Sequence, residues 1–508
     1  MPQLKIGWAS RDVSTEKHVN IPGQFHARIS EGVLDPVTIT ALAVDNGEDS
    51  VVFLSCDQAS LRHHILEKVR LLAKGLDPSF PAEKLIINCT HTHTAPSYAP
   101  EKTSGDQTIM SGLSSLKTEI KIDSSQEYQD FLFGACAETA VKAWRERKAG
   151  GIAYGYGYAV VAHSRRVVYM DDVSTRPGYV GRPGIAVNGH AVMYGNTNDD
   201  MFSGYEAGAD HFINLLYTFD EKGGLTGAIV NVPCPSQNSE MMHKLSASFW
   251  NETRRNIRAK HGNIFILPQC AAAGDLAPRI LHYKQAQERR FKLKYGRERA
   301  FAEEFEREDI AERITNAFEE VLSWAKKDIR TEAAIRHRVE NFVLPKRRIL
   351  KEEYEAEKEN LAELQKEPFA TQGTPQERLV HDSQLVSRRT RCLNIMRRYE
   401  TQDAEPTGDM EAHVVQVGDI AFATNRFELY MDFMHRIQAR SPFEQTFIVQ
   451  LTGIPQSIGG YLATVRGAEN RGYSASLYCN QASPEGGQVI VDETVRILKE
   501  LKAEDEKK

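Results

Sequence analysis

The sequence predicts an α/β protein in which multilayer sheets are flanked by helices and a charged helical segment is inserted. Short β-rich apolar runs alternate with amphipathic helical patterns in the first and last parts of the chain. Between residues 281 and 400 the composition shifts to Glu, Lys and Arg with heptad-like apolar spacing. Because 508 residues exceed one simple core, we expect an α/β catalytic domain from 1–280 and 401–508, and a mainly helical insertion from 281–400.

In the first half of the chain, runs of β-branched and apolar residues predict strands, and 3.6-residue periodicity predicts helices. A stretch rich in Gly, Asn, Asp and Pro predicts a long irregular connection at residues 169–208, and such loops often carry function. The predicted strands are 5–9, 37–44, 51–56, 85–90, 152–162, 212–219, 227–232 and 264–267, and the predicted helices are 61–76, 126–147 and 246–260.

The second half begins with the insertion, which is broken by a β-like stretch at 333–344. Its charged helical faces predict a solvated surface or a contact between copies of the chain, so a homo-oligomer formed through the insertion is one expectation. The α/β pattern then returns, with strands predicted at 412–417, 420–424 and 446–452 and helices at 427–439 and 488–502.

Composition and charge exclude several classes of protein. A net charge of −6 and 41% hydrophobic residues are ordinary for a globular enzyme and favour neither nucleic acid nor an anionic membrane as a partner. No apolar run approaches the roughly 18 residues of a membrane span, and the first residues contain no apolar leader. Seven scattered cysteines without a C-x-x-C spacing fit a reducing compartment. We therefore expect a cytoplasmic enzyme.

Two histidines carry the strongest chemical signal. His91 and His93 lie in the sequence T-H-T-H-T-A-P at residues 90–96, directly after the buried-type run 85–87. Because side chains alternate along a strand, both imidazoles should point to the same side at its carboxyl end, where α/β proteins collect ligands. Neutral imidazoles placed in this way suit zinc, so a zinc site is expected here.

Other enzyme classes that use similar motifs fit less well. A metallo-β-lactamase would need H-x-H-x-D-H, but Thr94 and Ala95 stand in those places. An amidohydrolase barrel carries its histidine pair on the first strand, and here at least three strand-like runs precede it. The chain has no P-loop, dinucleotide fingerprint or G-x-S-x-G elbow. These absences disfavour nucleotide-dependent and serine-hydrolase chemistry.

Several further segments resemble one known family when they are taken with residues 90–96. They are the opening 6–9 with Asp12 and Val13, the G-D-L-A-P sequence at 274–278, Phe427 and Glu428 followed by Ile437 and 441–443, and G-Y-L-A-T at 460–464. Together they resemble the catalytic domain of the neutral, non-lysosomal ceramidases, over roughly residues 6–498. The family's C-terminal immunoglobulin-like domain is not expected after them.

The resemblance implies a zinc ion held by His91, Glu428 and Tyr461, and it marks Asp275 as a catalytic candidate. Glu428 follows a strand-like run and is expected on the first turn of the helix 427–439, from which its carboxylate can reach a strand-end site. Tyr461 follows two glycines and is expected in a loop.

The chain departs from the family at two positions. Ser236 stands near the place of the family's second zinc histidine, and Ala277 replaces the active-site serine. These departures point away from ceramide as the substrate. A zinc site needs only three protein ligands and an open position, so His93, another histidine such as His163 or His211, or water can fill the gap. His93 is therefore predicted either as the fourth ligand or as the acid/base of catalysis.

Polar side chains near these motifs suggest how a substrate is held. Arg165 and Arg166 follow His163 and can clamp a carboxylate, phosphate or sugar oxygen. Ser236 and Gln237 follow a rigid Pro-Cys-Pro corner and supply neutral hydrogen-bonding groups. These five side chains predict a small polar substrate, such as a hydroxyl-rich sugar, rather than a lipid tail.

We therefore expect a zinc-dependent hydrolase that uses a metal-activated water on an amide, ester or glycoside-like bond of a small polar substrate. One alternative is a zinc-assisted carbohydrate lyase or isomerase, in which Tyr461 or His93 removes a carbon-bound proton. Another is a catalytically inactive binding protein on a ceramidase-like scaffold.

Overall fold

The computed structural model of the chain describes residues 2–61, 64–98, 116, 118–296, 302–453 and 458–505. Its largest element is an eight-stranded mixed sheet. The strands are β1 (Lys5–Asp12), β2 (Thr38–Asp45), β3 (Ser50–Cys56), β4 (Leu85–Cys89), β5 (Lys148–Tyr158), β10 (Phe212–Asp220), β11 (Leu225–Val232) and β12 (Phe265–Cys270). They lie in the order β12-β11-β10-β5-β1-β2-β3-β4.

A second, four-stranded sheet packs against the first. It contains β14 (Ile335–Pro345), β15 (Thr407–Val417), β16 (Ile420–Thr424) and β18 (Gln445–Val449), in that order. The apolar side chains of the two sheets interdigitate: the rings of Phe53 and Phe422 lie 4.8 Å apart, and Phe422 stacks on Phe447 at 4.4 Å. Both faces of β2 and β3 are buried, which explains why these strands are continuous apolar runs rather than alternating ones.

Helices cover the outer faces of the two sheets. On the first sheet, α1 (Ile65–Leu76) and α2 (Ser125–Arg145) pack over β1 to β4. Near β10 to β12 lie α3 (Phe249–His261) and α5 (Ala302–Ala325), and α8 (Met431–Arg440) and α10 (Pro484–Asp505) cover the second sheet. A short helix, α9 (Val465–Asn470), lies between these two in the chain. The result is an α/β/β/α layering, which confirms the predicted multilayer α/β class. The predicted helix 61–76 begins at Ile65, and residues 62 and 63 lie outside the described part of the chain.

The segment 281–400 is mainly helical but is not separate from the sheets. Besides α5 it contains α4 (Lys284–Tyr295), α6 (Lys351–Lys366) and α7 (Pro375–Thr401). Helix α7 starts at a capping box formed by Thr374 and Glu377, with proline at its first position. The predicted β-like stretch is β14, which pairs with β15 along eleven residues. The proposed division into domain and insertion therefore crosses a sheet of the core.

Short strands occur where the sequence predicts irregular chain or helix. Within 169–208, β8 (Ala191–Met193) and β9 (Phe202–Tyr205) pair with β7 (Arg166–Tyr169). Nearby, β6 (His163–Ser164) pairs with β13 (Leu276–Ala277). The helix predicted at 427–439 starts only at Met431, because residues 428 and 429 form β17 (Glu428–Leu429) beside β19 (Tyr461–Leu462). Glu428 is therefore on a strand, and its predicted place on a helical turn is wrong.

The carboxyl ends of strands from both sheets meet at one end of the molecule. The Gln450 side-chain oxygen, just after β18, accepts hydrogen bonds from the backbone N–H groups of Ala273 and Leu429. The Ser236 hydroxyl, after β11, donates to the carbonyl of Thr90, after β4, at 2.6 Å. These bonds tie the loops after β4, β11, β12 and β18 together, and the candidate site lies among them.

No helix in the described ranges is long and apolar enough to cross a membrane. The seven cysteines are all buried and free.

Candidate metal and active site

His91 lies two residues beyond β4 in a left-handed backbone conformation, with φ of 62°. Its side chain is buried, and its Nδ1 atom lies 2.5 Å from the carbonyl oxygen of Ala59. A carbonyl oxygen only accepts hydrogen bonds, so Nδ1 carries a proton and, in the neutral ring, Nε2 has a free lone pair. This arrangement, in which one ring nitrogen is anchored to a backbone carbonyl, is typical of metal-binding histidines.

Glu428 faces that lone pair. Its Oε2 atom lies 3.3 Å from His91 Nε2. Burial alone would raise the pKa of Glu428, but the neighbouring His91, Arg165 and Tyr461 side chains outweigh burial and lower it. The carboxylate is therefore ionised. The loop after β12 approaches closely, since a Cβ atom on Gly274 would lie 2.3 Å from the Glu428 carbonyl oxygen.

Tyr461 is placed beside Glu428 by strand pairing, because the two residues are register partners in β17 and β19. Its ring is buried, and its hydroxyl hydrogen-bonds the Glu428 carboxylate. Burial and the Glu428 charge raise the pKa of Tyr461 well above its ordinary value. The phenol therefore holds its proton and donates to the carboxylate.

His93 completes the row of side chains. Its Nε2 atom lies 3.3 Å from His91 Nε2 and accepts from the Gln237 side-chain amide at 3.0 Å, while its Nδ1 atom lies 3.4 Å from Glu240 Oε2. Burial lowers the pKa of His93 to about 4, so the ring is neutral near pH 7. Gly23 packs on the ring so closely that a Cβ atom there would lie 2.5 Å from His93 Cγ.

Three atoms with lone pairs thus meet at His91: its own Nε2, His93 Nε2 and Glu428 Oε2. Donor atoms that bind a tetrahedral zinc ion at about 2.0–2.1 Å are about 3.3–3.4 Å apart. The two separations of 3.3 Å match that spacing. The donor atoms therefore fit zinc in two pairs, His91 with His93 and His91 with Glu428. Within the described ranges, no group of three or more His, Cys, Asp or Glu side chains is arranged to hold a metal ion.

Arg165 and Arg166 point in different directions. The Arg165 guanidinium donates to the Gly274 carbonyl at 2.8 Å, lies 3.9 Å from Glu428 Oε2 and lies over the ring of Tyr461. Arg166 instead forms a two-point ion pair with Glu206, at 2.6 and 2.8 Å, and both side chains are almost fully buried. Arg165 therefore belongs to the site. Arg166 holds the protein interior together, so the two do not form the predicted substrate clamp.

Three other predicted site residues form their contacts with groups other than His91. The Ser236 hydroxyl donates its hydrogen bond to the Thr90 carbonyl. The Asp275 carboxylate accepts from the backbone N–H of Met431, the first residue of α8, at 3.1 Å, and burial raises the pKa of Asp275 to about 6. His163 pairs with Ala277 across β6 and β13, and burial followed by the charge of Arg313 lowers the pKa of His163 to about 4.

The structure also brings in residues that the sequence analysis did not single out. Glu240 is held between His93 and Arg279, and although burial opposes ionisation, these two partners lower its pKa to about 2. Tyr194, in a left-handed conformation, hydrogen-bonds Arg165, and the Tyr473 ring lies 5.7 Å from the Tyr461 ring. Glu240 comes four residues after Ser236 in an irregular stretch, which carries no pattern that would mark it.

Comparisons with known proteins agree with this picture at the level of the fold. No protein-family model matches the sequence, and no curated protein matches it. Solved structures do match, and two of them are described here. The neutral ceramidase from Pseudomonas aeruginosa aligns with a TM-score of 0.63 at 15% identity, over 98% of this chain and 75% of that one. A ceramidase complexed with C2 aligns with a TM-score of 0.63 at 13% identity, over 98% of this chain and 76% of that one.

These alignments extend over nearly the whole chain, including 281–400, although little sequence identity remains. They confirm the resemblance drawn from the short motifs. This chain therefore has the fold of the neutral ceramidases, in a form whose sequence has diverged widely from them.

Proposed function

We propose that this chain is a zinc-dependent hydrolase that uses an activated water on an amide, ester or glycoside-like bond of a small polar substrate, with carbohydrate-derived compounds as one such class. The observation that supports it best is the 3.3 Å approach of His91 Nε2 and Glu428 Oε2, which is a meeting of two lone pairs when the His91 ring is neutral. A pair of buried acceptors is unfavourable by itself and becomes favourable when a cation binds.

His91, Glu428 and Tyr461 would hold the zinc ion, with His93 as the fourth ligand or as the acid/base. Bound zinc acts as a Lewis acid and lowers the pKa of a water molecule toward about 7. The Ala59 carbonyl fixes the tautomer and the ring orientation of His91.

The remaining side chains act on the substrate directly. The neutral His93 ring can accept a proton and return it to the leaving group, because burial favours its uncharged form. Glu240 next to His93 Nδ1 would stabilise the imidazolium that forms. Arg165 supplies a fixed positive charge within 3.9 Å of Glu428, where an oxyanion from the attacked bond would develop.

The fold favours an amide bond, because the two solved structures with this fold are ceramidases. The polar groups of the site favour a substrate other than ceramide. Gln237, Glu240 and Arg279 place an amide and two charges beside His93, and Ala277 supplies no hydroxyl nucleophile. Water is therefore the nucleophile that this site can use.

Two alternatives receive less support. A lyase or isomerase, in which Tyr461 or His93 would remove a carbon-bound proton, is less supported because the solved structures that share this fold and are reported above are ceramidases. An inactive binding protein is compatible with Ala277, yet it leaves the His93–Glu240 pair without a purpose.

The test begins with elemental analysis of the purified chain and proceeds to an assay with acetylated amino sugars, simple N-acyl amides and aryl glycosides in heavy-oxygen water. We expect about one zinc per chain and one solvent oxygen in each hydrolysed product. Turnover without solvent oxygen in the product would favour the lyase or isomerase. Stoichiometric zinc without turnover of any of the three substrate classes would favour the binding protein. Absence of any bound metal would contradict the proposal itself.

A further inference from the structure

Arg391 of helix α7 is a cation whose hydrogen-bond acceptor is a sulfur atom and not an oxygen. It is partly buried, and its Nη2 atom donates to the Cys479 sulfur at 3.3 Å. The guanidinium carbon lies 5.5 Å from the ring centroids of Phe25 and Tyr478. Its buried Nε–H group has no hydrogen-bond partner. Among the residues that the structure describes, no carboxylate forms an ion pair with Arg391.

Other buried arginines of this protein bond oxygen atoms. Arg166 pairs with Glu206, and Arg254 pairs with Asp57. Arg398, two helical turns beyond Arg391, donates to the carbonyls of Leu477 and Asn480. A guanidinium has five N–H donors and a sulfur atom is a weak acceptor, so Arg391 is the exception. Its buried and unpartnered Nε–H group carries a cost unless a ligand satisfies it.

The charge around Arg391 also favours an anion. Two further arginines, Arg347 and Arg398, lie near Cys479, and burial together with the Arg347 charge lowers the pKa of Arg398 to about 10. Two acidic groups offset this charge in part: Glu353 lies 3.7 Å from Arg347, and Glu357 already accepts hydrogen bonds from the Tyr478 hydroxyl at 2.5 Å and from Asn360 at 3.1 Å. The surroundings therefore leave a local excess of positive charge.

This cation borders the candidate active site. The Phe25 ring meets the Tyr473 ring edge-on at 5.2 Å, and the Tyr473 ring meets the Tyr461 ring at 5.7 Å. The Cys479 carbonyl also accepts the Tyr461 backbone N–H at 3.0 Å. Arg391 is thus separated from the proposed zinc ligand Tyr461 by a short row of aromatic side chains.

We propose that Arg391 is an oxyanion-binding subsite that holds a carboxylate, phosphate or sulfate group. Guanidinium binds these groups through two parallel hydrogen bonds, and Phe25 and Tyr478 would flank the bound group. The assignment of this subsite to the substrate rests on the proposed hydrolase function, whereas anion binding at Arg391 stands without it. On this basis the substrate class narrows to small polar compounds that carry an acidic group.

Anion binding is tested first, by thermal unfolding of the full chain with sodium sulfate, phosphate or acetate against chloride at constant ionic strength. Arg391→Met is compared with wild type and with Arg378→Met, a matched change on the same helix at an arginine that already has Glu119 as a partner. We expect at least one oxyanion to raise Tm of wild type and Arg378→Met by about 2 °C or more, and not to raise Tm of Arg391→Met. The oxyanion that acts identifies the acidic group.

Two results would overturn the subsite. An equal rise of Tm in all three proteins would show that the anions act elsewhere. No rise in wild type, together with a lower Tm of Arg391→Met, would show that Arg391 is a packing residue only. Without added oxyanion, Arg391→Met should unfold no lower than wild type, because an unpaired charge has been removed.

The link to catalysis is tested with matched acetylated amino sugars that differ in one carboxylate. We expect the ratio of kcat/KM for the acidic over the neutral compound to fall about tenfold or more in Arg391→Met, and to be kept in Arg378→Met. An unchanged ratio would refute the substrate role. If neither compound is turned over while an oxyanion still raises Tm through Arg391, the hydrolase proposal fails and the anion site stands.

Discussion

His91 Nε2 and Glu428 Oε2 lie 3.3 Å apart, and when the His91 ring is neutral neither atom has a proton to give to the other. The Ala59 carbonyl holds the histidine proton on Nδ1, and Arg165 and Tyr461 help to keep Glu428 ionised. Two buried acceptors that face each other in this way form a site prepared for a cation. The first prediction follows from that relationship.

Loss of these acceptors should abolish metal binding. We expect His91→Ala and Glu428→Gln each to lower zinc affinity by more than the 10–100-fold that is typical for loss of an outer partner. Dialysis against a chelator of known affinity, followed by elemental analysis, measures it. His163→Ala is the control, since His163 pairs with Ala277 on a separate short sheet. Retention of zinc in a variant that combines His91→Ala and Glu428→Gln would refute the assignment of these residues as zinc ligands.

Gly23 should be required for the position of His93. A methyl group at residue 23 would meet the His93 ring at 2.5 Å, and the backbone φ of +107° disfavours any side chain. We expect Gly23→Ala to lower the free energy of unfolding by about 2–4 kcal/mol in urea titrations and to impair turnover. Gly47→Ala, also at positive φ but with open space around it, should cost only about 1 kcal/mol. Equal costs in the two variants would contradict the packing argument.

The buried ion pair between Arg166 and Glu206 allows a structural role of Arg166 to be distinguished from substrate binding. Removal of one partner leaves a buried charge without compensation, so Arg166→Met should destabilise the protein by about 3–5 kcal/mol. Arg176→Met, which breaks half-exposed pairs with Asp171 and Asp199, should cost far less. Chemical denaturation checks both variants. A stable Arg166→Met that only raises KM would restore Arg166 to the substrate site.

Glu411 should make stability depend on pH. Although burial opposes ionisation, hydrogen bonds from His413 and Arg70 lower the pKa of Glu411 from 4.5 to about 2. A depressed pKa of an acid stabilises the folded state above the unfolded-state pKa, and this stabilisation is lost as the pH falls through the folded value. Glu411→Gln should therefore cost on the order of 2–3 kcal/mol at pH 7, and the difference from wild type should shrink below about pH 4.5.

Urea unfolding of wild type and Glu411→Gln at pH 7, 5 and 4 measures this difference. The control is Glu138→Gln, since the Glu138 side chain is 59% exposed and its ion pair with Arg11 lies on the surface. A Glu411→Gln penalty that stays constant with pH would show that packing, and not charge, is responsible.

The fold class was predictable because apolar periodicity is local. Buried runs such as those of β3 and β4 show their nature in a few consecutive residues. The helix at 427–439 misled because Met431, Met434 and Ile437 do lie on a helix, whereas the position of Glu428 is decided by its pairing with Tyr461. No local pattern reports a partner that is distant in the sequence.

The site was partly predictable for the same reason. His91 and His93 share a strand end and a short motif, and Glu428 and Tyr461 came from the family resemblance. The direction of a side chain within an irregular loop follows from tertiary contacts, so the spacing of Arg165 and Arg166 wrongly suggested a common clamp. Glu240 and Arg391 were missed because their meaning depends on what lies around them, not on their neighbours in sequence.

The pairing of Glu428 with Tyr461 has a consequence for how the protein matures. These two residues come from the late part of the chain, and His91 comes from the early part. A nascent chain that lacks its last strands cannot assemble the donors. We therefore expect zinc uptake to follow synthesis of the last strands and to report completed folding.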